Sequence, residues 1–259
     1  MNFVKALYGA IAYAIFFATF VYAIGFVGNV AVPKSIDIGI PFDAQGESLP
    51  ISLLIDVLLL GIFAVQHSVM ARPAFKRWWT RIVPSVIERS TYVLLASTAL
   101  LFLFLEWRPI VTTVWNVGGT LGGYALIVLS AIGWLLVLAA TFQIDHFELF
   151  GLKQVWWHLR GKRAPQQQFR VPLLYRQVRH PIYLGFILAF WSTPVMSLGH
   201  LLFAAVTTAY ILVGIAFEER DLIAQFGDRY RLYRQQVGML LPRLRRQPTT
   251  RTGARAPGD

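Results

Sequence analysis

The chain has 259 residues, of which 56% are hydrophobic and only 14% charged, a balance that soluble globular domains seldom reach. It contains no cysteine, which excludes a disulfide framework, cysteine-ligated zinc, iron–sulfur chemistry and a cysteine nucleophile. A formal charge of +11 would suggest nucleic acid in a soluble domain. Here the cations are confined to loops between apolar stretches, where orientation in a bilayer accounts for them without a nucleic-acid partner.

A spanning helix takes ~20 mostly apolar residues, and six stretches qualify: 4–27, 51–71, 87–105, 121–143, 181–198 and 200–217. The expected fold is therefore an all-α integral membrane protein with about six transmembrane helices, the last two a tight hairpin, plus cytoplasmic interfacial helices. The apolar run from Ala6 to Pro33 exceeds the ~7–15 residues of a signal peptide's core, and Gly28-Asn29-Val30-Ala31 is a poor cleavage site, so it reads as a retained span. Segments 28–50 and 106–120 hold two cations, Lys34 and Arg108, against the acids Asp37, Asp43, Glu47 and Glu106. The other 22 Lys and Arg lie at the start, in 72–89, in 145–180 and after 217. This positive-inside bias puts both termini in the cytoplasm and the polar clusters on that face. Residues 1–242 read as one transmembrane domain and 243–259 as a disordered basic tail.

In chain order, the first span interleaves small residues with Tyr8, Tyr13 and Tyr22, a helix-packing composition to which no chemistry is assigned. The outer loop 28–50 has turns at Pro33, Pro41 and Gly46. Asp56, near the outer end of the second span, reads either as functional or as an acid that reaches water. Gln66 and His67, one turn inside the opposite end of that span, either line a cavity or pair between helices. Residues 70–81 alternate cations with Trp and Phe, as an interfacial helix does. Glu88 and Arg89 balance the start of the third span, which runs on as plain lipid-facing Leu, Phe and Ala. The fourth span ends in Gln143, Asp145, His146 and Glu148; on a continuing helix Asp145 and Glu148 share a face, with His146 turned away by about 100°.

The chain is organised around Arg179-His180-Pro181-Ile182-Tyr183. Between His180 and Glu218 there is no charged residue, and Ser197-Leu198-Gly199-His200 is the expected reversal point. Two arms of about eighteen residues, each travelling ~27 Å at 1.5 Å per residue, return Arg179, His180 and Tyr183 beside Glu218, Glu219 and Arg220. Residues 222–233 then read as a surface helix with a break at Gly227.

The hairpin motif, with Glu218-Glu219-Arg220-Asp221-Leu222, Phe226-Gly227-Asp228-Arg229-Tyr230 and the closing Pro242, resembles the C-terminal half of the isoprenylcysteine carboxyl methyltransferase superfamily. Upstream, Gln66-His67-Ser68-Val69-Met70-Ala71-Arg72-Pro73, Glu88-Arg89-Ser90-Thr91-Tyr92 and the stretch from Asp145 to Leu152 resemble bacterial membrane-bound methanethiol S-methyltransferases, and in part NnrU-like membrane proteins. The resemblance implies methyl transfer from S-adenosylmethionine to methanethiol, releasing dimethyl sulfide, in the bacterial inner membrane with the site near its cytoplasmic face. It makes 177–242 the donor-binding hairpin and surface helix.

On that reading Glu218 or Glu219 accepts from the donor's amino group or ribose, Arg179 forks onto its carboxylate, and Tyr183 bounds the sulfonium or adenine. His180, Pro181 and Gln143 complete the expected donor-binding set. Glu219→Ala is expected to abolish donor binding while leaving the fold intact. The thiol must lose its proton, because the thiolate is the nucleophile; His146, ranked first, then His67 and Asp145 are candidates, although a nearby cationic donor lowers the thiol pKa unaided. No metal site is expected. Other acceptors stay open, namely a larger thiol, an isoprenoid acid or a lipid. So do a nicotinamide-dependent reductase with the same hairpin and a non-catalytic scaffold or transporter in which Arg179 and Glu219 only neutralise each other.

Overall fold

The computed structural model describes residues 2–40, 48–162 and 169–243. The expected turns at Pro41 and Gly46, the Gln166-Gln167-Gln168 loop and the basic tail beyond Arg243 lie outside the described residues. Five helices are long and apolar enough to cross a membrane: α1 (Asn2–Gly28), α2 (Leu49–Ala71), α4 (Ser85–Glu106), α5 (Leu121–Ile144) and α10 (Leu198–Phe226). Short helices α3 (Pro73–Trp79), α6 (His146–Leu149), α7 (Leu152–Leu159), α8 (Leu173–Gln177) and α11 (Asp228–Gln236) gather at one end of the bundle. A two-stranded ribbon, β1 (Thr113–Asn116) and β2 (Val195–Ser197), lies at the other. The chain is an all-α integral membrane protein.

The hairpin departs from two equal arms. Its first helix, α9 (Pro181–Trp191), has only 11 residues, ~16 Å at 1.5 Å per residue and about half of a ~30 Å hydrocarbon core. Pro194 is the cause: the residue before a proline is driven out of the α region, and after a bend at Pro194 the chain runs extended from Val195 to Ser197, so that the six residues after Trp191 add at most ~20 Å at ~3.3 Å per residue. Together the two parts match the ~33 Å of α10 from Leu198 to Glu219, so the ends still meet. Ser197 then caps α10, its Oγ accepting from the His200 N–H at 3.0 Å.

A broken helix inside a bilayer leaves backbone groups that must be satisfied within the protein. The ribbon does this: Thr113 pairs with Ser197, Trp115 with Met196 and Asn116 with Val195, Val117 N donates to the Pro194 carbonyl at 2.8 Å, and Trp115 Nε1 to that of Thr193 at 3.1 Å.

Against α5, α9 packs backbone to backbone. A Cβ on Gly133 would sit 2.6 Å from Ala189 N, and one on Gly185 2.6 Å from the Gly133 carbonyl, so both positions admit only glycine without displacement, as small-residue interfaces between membrane helices require. The core lies toward the ribbon end and contains Phe26, Leu103, Phe104, Trp107, Trp134 and Phe203. The third span is thus not plainly lipid-facing, since α4 turns Leu103 and Phe104 fully inward. Asp56 is wholly buried, and its Oδ1 accepts from the Arg108 N–H at 2.8 Å, which gives it a structural task.

Candidate active site

The hairpin returns its charges as expected. Arg179 Nε donates to Glu219 Oε1 at 2.7 Å, His180 Nε2 lies 3.1 Å from the same oxygen, and Arg234 Nε meets Glu219 Oε2 at 3.0 Å. The Tyr183 hydroxyl donates to Glu218 Oε2 at 2.8 Å. Pro181 opens α9 and fixes the turn after His180. Both acids lie within α10, which runs nine residues past Phe217 before Gly227, at φ +58°, breaks it.

Within this cluster the two acids differ. Glu219 and Arg179 are 6% and 8% exposed, whereas the Glu218 side chain is 43% exposed. The Arg179 guanidinium is also held by two carbonyls through Nη1, that of Arg234 at 3.1 Å and that of Val237 at 2.5 Å. A C-terminal strap straddles the motif: Arg179 N donates to Gly238 O at 2.8 Å and His180 N to Met239 O at 3.2 Å. The Tyr233 hydroxyl, which burial pushes up to about 12, donates to the Tyr175 carbonyl at 2.6 Å. This ties α11 to α8. Beside the cluster lies a cleft of about 320 Å³ lined by Ala216, Glu219, Arg220, Ile223 and Arg234.

At the end of α5 the helix does not continue through Asp145. That residue adopts φ +111°, ends α5 and caps α6, its Oδ1 accepting from the Glu148 N–H at 3.1 Å. Its other oxygen pairs with Lys153. Gln143 Oε1 accepts from the Leu174 N–H at 2.9 Å, holding α8 and so the approach to Arg179 from behind.

His146 is buried with both ring nitrogens engaged. The Thr141 hydroxyl gives its one proton to the Leu138 carbonyl at 2.7 Å, so at 2.9 Å it accepts from His146 Nδ1–H, and Nε2 is left to accept from the Tyr13 hydroxyl at 2.8 Å. Phe142 stacks on the ring at 4.3 Å between centroids. Burial lowers the His146 pKa, which neighbouring Asp145 opposes less strongly, so the ring is neutral. No described contact joins His146 or Asp145 to the Arg179–Glu219 cluster.

His67 faces the bundle interior at the same end. Its Nε2 and Nδ1 lie 2.9 and 3.2 Å from the one Tyr92 hydroxyl, and neither nitrogen has another side-chain hydrogen-bond partner among the described residues. Phe63 packs against both His67 and Tyr210, and the Tyr210 hydroxyl accepts from Ser68 at 3.1 Å. Arg72 pairs with Asp221 at 3.0 Å, joining the corner between α2 and α3 to α10 just beyond the two acids. The sequence assigned no site role to Tyr13, Tyr92, Tyr210 or Arg234. For Tyr92 the signal was there, four residues after Glu88 and so on the same helix face. Arg234 carried none. Among the described residues no group of three or more His, Asp or Glu could hold a metal ion.

The chain is 58% identical to methanethiol S-methyltransferase 1 of Bradyrhizobium diazoefficiens over 93% of its own length and 83% of the relative's. It is 54% identical to the methanethiol S-methyltransferase of Mycobacterium tuberculosis over 93% and 97%. The chain belongs to the methanethiol S-methyltransferase family. A more distant relative is nurim of Rattus norvegicus, 32% identical over 69% of this chain and 71% of that one. No family model and no solved structure matches. The methanethiol S-methyltransferases match along nearly the whole chain, so family membership extends to the helices that carry His67, Tyr92 and His146 as well as to the hairpin.

Proposed function

We propose that the chain transfers a methyl group from S-adenosylmethionine to the sulfur of methanethiol, giving dimethyl sulfide. The observation that carries this reading is the meeting of Arg179, His180 and Tyr183 with Glu218 and Glu219 beside a cleft of about 320 Å³, in a chain whose relatives are named for that reaction. Residues 1–242 act as one transmembrane methyltransferase domain, with 177–242 as its donor-binding part.

The residues present fit such a donor. When bound, it supplies a methyl group on a sulfonium cation. Glu218, half-exposed and holding a single hydrogen bond from Tyr183, offers a carboxylate to its amino group or ribose. Tyr183 holds the Glu218 carboxylate and His180 that of Glu219, Pro181 fixes their turn, and Gln143 supports α8 from outside. Arg179 and Glu219 hold the hairpin shut and give the cleft its shape.

Alignment of the reacting sulfur with the methyl carbon and leaving group supplies most of the acceleration such a displacement needs. Of the candidate bases, His67 receives the thiol proton: its two ring nitrogens share a single partner, the Tyr92 hydroxyl, whereas each His146 nitrogen has a partner of its own and Asp145 is committed to Lys153 and the α6 cap. The small acceptor enters from the bilayer and the neutral product leaves by it. The distribution of Lys and Arg puts this end of the bundle and both termini in the cytoplasm, with the protein in the bacterial inner membrane.

The test is direct. Purified protein in detergent, given S-adenosylmethionine and methanethiol, should release dimethyl sulfide into the headspace, measured by gas chromatography. Absence of product together with absence of donor binding overturns the proposal.

A further inference from the structure

The cleft beside the hairpin carries more positive charge than its own acid neutralises. Glu219 is its one carboxylate, and that group already receives Arg179, His180 and Arg234. Arg220 lines the same cleft, is exposed, and makes no hydrogen bond or ion pair among the described residues. Arg179, to which a forked contact with the donor's carboxylate was assigned from sequence, is not free to make one: its Nε is on Glu219, its Nη1 on two carbonyls, and its side chain is 7% exposed.

Arg234 stands differently. Its Nε is fixed by Glu219 Oε2, which orients the guanidinium, but the side chain is 52% exposed and its two terminal nitrogens make no described bond. The backbone beneath it is held as well, since the Arg234 carbonyl accepts from Arg179 Nη1. A guanidinium anchored at one nitrogen and open at the other two presents the planar pair of donors that a carboxylate takes up.

We infer that Arg234, with Arg220 beside it, forms a carboxylate subsite in this cleft, and that the subsite takes the α-carboxylate of an amino acid, here the amino-acid end of the donor. The inference rests on the donor reading above and replaces Arg179 with Arg234 as the carboxylate partner. Arg179 becomes a positioning residue that acts through Glu219 and the strap.

The experiment compares two ligands that differ in this group alone. S-adenosylhomocysteine carries the α-amino acid; 5′-methylthioadenosine keeps the thioether and nucleoside without it. Dissociation constants are measured by equilibrium dialysis for the full chain in detergent, for Arg234→Gln and for Arg220→Gln. Arg234→Gln is expected to weaken S-adenosylhomocysteine by on the order of tenfold or more, the loss of a charge-assisted bond pair, with 5′-methylthioadenosine unchanged. Arg220→Gln weakens the former less and the latter not at all, and Arg234→Lys recovers part of the loss. Unchanged S-adenosylhomocysteine affinity in Arg234→Gln overturns the subsite, as does an equal loss for both ligands. If the unsubstituted chain binds neither ligand, the donor reading itself fails and this subsite with it. Melting curves identify any variant that fails to fold; Arg234→Lys, which keeps the charge, then decides, because an unweakened S-adenosylhomocysteine affinity with a geometry-poor ammonium refutes the forked contact.

Discussion

Replacing Glu219 with alanine tests the hairpin closure most sharply. Glu219 is 6% exposed and holds Arg179, itself 8% exposed, at 2.7 Å. Its loss leaves a guanidinium buried opposite nothing, which costs about 3–5 kcal/mol when one partner of a buried pair is removed. The two carbonyls on Arg179 Nη1 keep the figure from rising further, and the half-exposed Arg234 arm adds less than about 1 kcal/mol. For a chain of this size each kcal/mol moves the melting point by about 2–4 °C, so Glu219→Ala should melt on the order of 10 °C below the unsubstituted protein. Glu218→Ala, which gives up one hydrogen bond from Tyr183 at an accessible site, should lose about 1 kcal/mol or less and still weaken donor binding. Tryptophan-fluorescence melts in detergent micelles read both. If Glu219→Ala melts within about 2 °C of the parent, the buried pair is not what holds the hairpin, and the expectation that this substitution removes only the ligand is restored.

Gly133→Ala would drive a Cβ to within 2.7 Å of backbone atoms on α9 and should lower the melting point by several degrees, overpacking of this kind costing about 1–3 kcal/mol; an unchanged melt would refute the backbone-to-backbone packing. His67→Phe should cut the turnover number by about 10²-fold or more, the usual worth of a positioned base, with S-adenosylhomocysteine binding intact; unchanged turnover would show that the thiol needs no base. His146→Asn should leave the turnover number within about tenfold, below the usual worth of a base. It should also alter the pH dependence of stability. The His146 pKa is lowered in the fold, so the unfolded chain binds more protons below its ordinary value near 6.5. The stability from the neutral ring is therefore complete above that pH and lost as the pH falls through the lowered value. Melts from pH 7.5 to 5 should fall more steeply for the parent than for the variant, and parallel curves would count against it.

Much of this site was legible because charge is so scarce in the chain. An uncharged run from Pro181 to Phe217 bounded by Arg179 and Glu218 can close only one way, and it does. The shape of the run was less legible. Ser192-Thr193-Pro194 carried a proline break that outweighs the turn composition of Ser197-Leu198-Gly199-His200, and Ser197 turned out to be a helix cap. The ribbon strand at Thr113-Val114-Trp115-Asn116 has β-branched and aromatic residues that favour strands, yet its partner could not be recognised while 181–198 was read as one helix. His146 looked like a base from its depth in the sequence. Its commitment to Tyr13 and Thr141 depends on where α1 passes, and no spacing along the chain reveals that. Arg234 sits among several arginines in α11, and only the fold distinguishes it from Arg231, which pairs with Asp228 at 2.8 Å.

The strap formed by residues 237–239 has a bearing on biogenesis. Synthesis delivers the hairpin to the bilayer before it delivers the segment whose carbonyls receive the Arg179 and His180 amides. Until those residues arrive, the hairpin end of the bundle lacks its closing backbone. A nascent chain arrested before Val237 would hold every residue that lines the cleft, yet leave the Arg179 and His180 N–H groups without the carbonyls that receive them.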